Sequence, residues 1–133
     1  MRSMFYNCAN LKTLNLKHFD TSSVTSMRMM FYNCTKLISL DLSNFVTTSV
    51  NNMYAMFYNC INLISLDLTN FITSSVTNMN SLFYGCKNLL SLDLRSFNVK
   101  SVTNMSNMFY SCNTALIYCI NNALYANTTT HFP

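Results

Sequence analysis

The chain has 133 residues, half of them apolar, only 9% charged, and it contains one glycine and one proline. That length suits one domain rather than two, and the composition excludes a charge-rich disordered chain or a collagen-like one. No apolar run approaches the roughly 18 residues needed to cross a bilayer, and a net charge of +4 spread over eight Lys and Arg is too mild to imply nucleic acid.

The opening segment, Met1-Arg2-Ser3-Met4-Phe5-Tyr6-Asn7-Cys8, lacks the basic start, long apolar stretch and small-residue cleavage site of a secretory signal. Its reading is a cytosolic protein or a piece of something larger. Cys8, Cys34, Cys60, Cys86 and Cys112 each lie 26 residues from the last, so the chain is an array of repeats. The leucines keep the same frame, as in Leu11, Leu14 and Leu16 or Leu89, Leu92 and Leu94.

The first element of each unit is a short strand. L-x-x-L-x-L alternates apolar and polar residues, so that Leu40 and Leu42 point inward while Ser39, Asp41 and Ser43 point outward. A short helix follows: Val24, Met27, Met30 and Phe31 are spaced by three and four residues and share one face of a helical turn. Ser23, Ser49, Ser75 and Ser101 precede its apolar Val as N-caps. Asn7, Asn33, Asn59, Gly85 and Ser111, mostly residues that tolerate left-handed backbone, close it just before each Cys.

One such unit cannot bury its apolar face alone, whereas stacked units form a continuous core with a parallel sheet along one side. Crossovers of this kind are nearly always right-handed. The predicted fold is therefore an α/β repeat: a right-handed leucine-rich-repeat solenoid of about four and a half coils, with the parallel sheet on one side and short helices on the other. It spans residues 1–112, followed by a divergent tail or cap over 113–133.

The repeat M-F-x-x-C-x-x-L-x-x-L-x-L-x-x-F-x-x-x-x-V-x-x-M, as in Met56 to Met79, resembles the 26-residue repeat of BspA-like leucine-rich-repeat surface proteins of bacteria and some protists. The resemblance covers about residues 1–112 and recurs in phase. It implies an extracellular, non-enzymatic protein of the adhesion or host-interaction type. The tail departs from it, since Ala115 replaces Leu, Cys119 is out of phase and no L-x-x-L-x-L follows.

Five in-phase cysteines form a line rather than a tetrahedron, so they suit buried, reduced thiols better than a zinc site. Neighbouring Cβ atoms near 5 Å lie beyond disulfide reach, while Cys112 and Cys119 form a separate pair for which a bridge stays open. His18 and His131 are the only histidines and neither recurs, so no Ser or Cys nucleophile acquires a base and an orienting carboxylate. No enzyme activity and no cofactor are expected.

Two outward columns form the candidate partner surface. Asn15, Asp41, Asp67 and Asp93 stack carboxylates about 5 Å apart. Either that column binds a cation or a basic partner, or neighbouring hydroxyls offset the repulsion: Thr13, Ser39, Ser65 and Ser91 in the adjacent column, with Ser43 and Thr69, and Lys17 and Arg95 at the ends. The second column is Tyr6, Tyr32, Tyr58, Tyr84 and Tyr110, which lies off the apolar stripe. It either offers an aromatic contact surface or covers the helix of the next coil.

The Phe5, Phe31, Phe57, Phe83 and Phe19, Phe45, Phe71, Phe97 columns are core, and Met27, Met53, Met79 and Met105 with Met30, Met56 and Met108 are expected to fill gaps between stacked helices rather than to bind metal. The sequons at Asn33, Asn104 and Asn127 follow from an Asn-rich composition. Met1 begins in mid-repeat without a polar cap, so a fragment, or end-to-end self-association, is expected. Ala115 to Ala126 is expected to cap the last coil, with Asn127 to Pro133 loose.

The leading function is a surface module that binds protein or glycan in adhesion. The alternatives are a passive structural spacer and an intracellular interaction scaffold, which unpaired cysteines would suit.

Overall fold

In the computed structural model, residues 1–113 and a strand at Ile117–Cys119 are described. Three short strands, β1 (Ser65–Leu66), β2 (Ser91–Asp93) and β3 (Ile117–Cys119), form one parallel sheet in the order β1-β2-β3. The register equals the repeat: Ser65 pairs with Ser91 and Leu66 with Leu92, and Asp93 then pairs with Cys119. The strand at Ile117–Cys119 thus extends the sheet within the stretch where the leucine pattern stops. The remaining residues of 114–133, including Ala115, the sequon at Asn127 and His131, lie outside the described residues.

A second parallel ladder runs where short helices were expected. Ser26, Asn52, Asn78 and Asn104 bridge in sequence at 26-residue steps. From there every second amide leaves its own coil. Met27, Met29, Phe31 and Asn33 donate to the carbonyls of Asn52, Tyr54, Met56 and Tyr58 at 2.8–2.9 Å. The amides of Met30 and Tyr32 between them close four-residue turns instead, on the carbonyls of Met27 and Met29, as Cys34 does on Phe31.

The helix expectation is therefore corrected, because no residue described here is helical. A helix needs every amide for its own i−4 carbonyl, and here half of them serve the neighbouring coil. Two left-handed residues per coil also break any helical run, with φ of 54° at Met29 and 56° at Asn33 and the same pair at Ala55 and Asn59. Ser49 consequently caps no helix; it sits in the turn closed by Val50 donating to Thr47. The closing positions Asn7, Asn33, Asn59, Gly85 and Ser111 are all left-handed, as read from the sequence, but they close turns. The other left-handed column, Ser3, Met29, Ala55, Ser81 and Asn107, carries no sequence signature.

The core is built from like residues stacked on like. Leu63, Leu66, Leu68, Phe71, Val76, Met79, Phe83 and Cys86 are buried within a single repeat length. The Phe5, Phe31, Phe57, Phe83 and Phe109 rings stack nearly parallel at 5.4–5.7 Å. Each buried thiol donates to a carbonyl of the preceding coil, Cys34 to Phe5 and Cys60 to Phe31, at 3.1 and 3.2 Å. Cys86 and Cys112 repeat the bond to Phe57 and Phe83. Burial pushes the thiols of Cys34 and Cys112 up to about 11 and those of Cys60 and Cys86 further, because an apolar surround disfavours thiolate.

Hydroxyls complete the inter-coil bonding. Thr21, Thr47 and Thr73 are buried polar side chains at 1% exposure. The Thr47 hydroxyl donates to the Ile72 carbonyl at 3.0 Å and accepts from the Ile72 amide at 2.8 Å, and Thr21 and Thr73 do the same to Val46 and Asn98. Asn44 and Asn70 likewise donate their side-chain amides to carbonyls of the coil before, Leu16 and Leu42 among them, at 3.0 and 3.1 Å.

Candidate functional site

The aspartate column forms an outward row that enters the sheet at Asp93, and each side chain is engaged locally. Asp41 accepts from the Ser43 amide at 3.0 Å and hydroxyl at 2.6 Å, and Asp67 accepts likewise from Thr69 at 3.0 and 2.7 Å. Asp93 takes the Arg95 amide and a two-pronged guanidinium, with Nη2 2.6 Å from Oδ2. Asn15 accepts from the Lys17 amide at 3.1 Å. These bonds favour the charged form: Ser43 beside Asp41, Thr69 beside Asp67 and Arg95 beside Asp93 hold the carboxyls below the usual range, to about 2 at Asp93. The repulsion within the column is thus offset by its own i+2 neighbours. Among the described residues, no three His, Cys, Asp or Glu side chains gather as metal ligands.

Thr13, Ser39, Ser65 and Ser91 are exposed along the same side, with Ser65 and Ser91 paired in the sheet. Of the hydroxyls near the carboxylates, Ser43 and Thr69 make the bonds.

The tyrosines form a continuous ladder. Successive rings of Tyr6, Tyr32, Tyr58, Tyr84 and Tyr110 lie 4.9, 4.5, 4.4 and 5.1 Å apart and within 23° of parallel. The three inner residues are half-buried and the two end residues exposed. Burial and the neighbouring phenols push the Tyr58 hydroxyl up to about 12. Each inner ring spends both faces on its neighbours, so the ladder offers ring edges and hydroxyls to solvent. Stacking a sugar on an aromatic face requires an open face, which the inner rungs lack.

An apolar groove of about 580 Å³ appears where no site was read from the sequence. Ile38, Ile64 and Leu90 line it with Lys12, Lys36, Asn62, Asn88 and Asn113. Ile38, Ile64 and Leu90 are 45%, 47% and 50% exposed, although the core around them is closed. Their backbones are held in line by one bond per step, Ile38 to Lys12, Ile64 to Ile38 and Leu90 to Ile64, at 2.9–3.3 Å. Beside them the Lys36 ammonium donates to Asn10 at 2.9 Å and the Asn88 amide to Asn62 at 3.2 Å. The signal was present as the column Lys12, Ile38, Ile64, Leu90 at the repeat spacing. It was hidden because each apolar member directly follows a core leucine such as Leu37 or Leu63 and reads as part of the same apolar run.

Residues 1–121 match the family described as "Mycoplasma protein of unknown function, DUF285". With the 26-residue coil, the match agrees with the resemblance to BspA-like leucine-rich-repeat proteins. No curated protein matches the chain. Among solved structures, it is similar to a leucine-rich-repeat protein of T. pallidum, at 17% identity and a TM-score of 0.48 over 92% of this chain and 45% of that one. It is also similar to a leucine-rich cell surface protein of Faecalibacterium prausnitzii, at 20% identity and a TM-score of 0.37 over 92% of this chain and 32% of that one. The chain spans less than half the length of either.

Proposed function

Since the chain belongs to the family described as "Mycoplasma protein of unknown function, DUF285", we propose that it is a non-enzymatic protein-binding module displayed at a cell surface and acting in adhesion. We read the stack as a right-handed leucine-rich-repeat solenoid, because parallel crossovers nearly always turn that way. The observation that carries the binding role is the in-line row of Ile38, Ile64 and Leu90, about half exposed at the floor of a groove. Aliphatic side chains held in register and left wet are stabilised by covering them, at about 25 cal/mol per Å².

Protein is favoured over glycan, because the groove is aliphatic and the tyrosine faces are already stacked on one another. Surface display rests on the resemblance to BspA-like surface proteins. A spacer role draws its support from the aspartate column, which is uniform and internally satisfied. The two readings separate when the full chain is screened against an array of identified extracellular proteins and glycans. A binding module gives protein signals that Ile64→Ser removes without lowering the melting temperature, whereas a spacer gives none.

A further inference from the structure

Resting on that reading, we propose that the groove receives an extended segment of another polypeptide, with a carboxylate at one end and aliphatic side chains two and four residues beyond it. The charge of the lining sets the first requirement. Among the described residues, Lys12 and Lys36 are the ionisable ones in its lining, and no acidic side chain lines it. Neither lysine forms an ion pair among the described residues, and the Lys36 ammonium bonds the neutral Asn10 amide oxygen. A cation at one end of an apolar row selects an anion there. A second copy of this chain is a poor match, since it carries a net charge of +4 and all four of its aspartates are tied to neighbours two residues on.

Spacing sets the second requirement. Coils stack about 4.8 Å apart, so the three steps from Lys12 to Leu90 cover roughly 14 Å, which an extended chain rising about 3.4 Å per residue crosses in about four residues. A carboxylate over Lys12 then places the side chain at i+2 about 7 Å along, between Ile38 and Ile64, and the one at i+4 about 14 Å along, beside Leu90. Residues i+1 and i+3 point away. The linked amides of Asn62 and Asn88 run along the same groove, and each keeps a further donor or acceptor for the backbone of the bound segment. This is recognition of an extended peptide by pockets for alternate side chains.

The test uses the full chain and two labelled, end-blocked pentapeptides, Glu-Ser-Leu-Ser-Ile and Lys-Ser-Leu-Ser-Ile, with binding read by fluorescence anisotropy. The acidic peptide should bind about fivefold more tightly at low salt, and the preference should fade as salt is raised. Lys12→Glu should invert the preference, and Ile64→Ser should weaken both peptides about tenfold at an unchanged melting temperature. Equal binding of the two peptides, or a Lys12→Glu chain that keeps the original preference, would overturn the proposal. So would a dimer in sedimentation that Ile64→Ser dissolves, because the occupant would then be a second copy. A random-peptide library panned on the same chain separates this failure from failure of the broader reading. Enriched segments without the acid-aliphatic spacing refute the proposed ligand and leave protein binding standing, while a library with no enriched segments refutes both.

Discussion

Thr47→Val tests the inter-coil hydroxyl ladder with a change of almost constant shape. The Thr47 side chain is 1% exposed, and its hydroxyl makes two bonds to one residue of the next coil, donating to the Ile72 carbonyl and accepting from the Ile72 amide. Valine fills the space but removes both bonds, worth about 1 kcal/mol each, and leaves the two partly buried Ile72 groups to find water or go unpaired. The expected loss is about 2–3 kcal/mol. Thr47→Ser keeps the hydroxyl and removes one methyl group, for about 1 kcal/mol. For a chain of this size each kcal/mol moves the melting temperature by roughly 3–5 °C, so valine should melt about 10 °C below the parent and well below serine. Urea unfolding should show the same order with an unchanged slope. A burial argument from hydrophobicity alone predicts the opposite order, so the sign decides. If the valine chain melts at or above the serine chain, the hydroxyl bonds do not hold the coils together.

Leu66→Asp places a charge at a buried position in β1 and should abolish cooperative unfolding at a cost of several kcal/mol; a variant that melts like its parent refutes the inward assignment. At Gly85, φ is +70° and an added Cβ would fall 2.1 Å from the Asn59 side-chain oxygen. That oxygen is the far end of a side chain, and two steps back in the same column one asparagine amide donates to the next, Asn33 to Asn7, at 3.0 Å. Gly85→Asn should therefore be nearly neutral, whereas Gly85→Val should lose about 2 kcal/mol to strain, both read by thermal melting. The thiols carry the alkaline limit. Unfolded thiols ionise near the ordinary value of 9, while Cys34 and Cys112 hold their protons to about 11. Stability should thus be fully present below about pH 9 and fall as pH rises through the folded values, and native-state alkylation should reach half-buried Cys8 well before Cys60 or Cys86. The aspartates act in the opposite direction, since their lowered values add stability above the usual carboxylate range that is lost as pH falls through it.

Periodicity alone sets much of this architecture. Five cysteines at a 26-residue interval dictate that like residues meet like, and the ring stacks of Phe31 on Phe57 and Tyr32 on Tyr58 follow. The left-handed closures at Asn33 and Asn59 were legible too, because asparagine tolerates that backbone where larger side chains resist it. Met29 and Ala55 adopt the same conformation without any such preference, since the stacked coils around them impose it. The aspartate column could be located from sequence, and its neighbours at i+2 identified as its relief. The groove could not, because Ile38 and Leu37 are equally apolar and only packing buries one and leaves the other half exposed.

The amino-acid order by itself determined the repeat length, the core columns, the left-handed positions before each cysteine and the absence of a long apolar span. Tertiary structure decided whether Val24 to Phe31 coils as a helix or as chained turns, since apolar spacings of three and four fit both. The physical reason lies in the amides of Met27, Met29 and Phe31: their acceptors, the carbonyls of Asn52, Tyr54 and Met56, come within reach only after the next coil has stacked. A partner that exists only in the assembled stack leaves no mark on the local sequence.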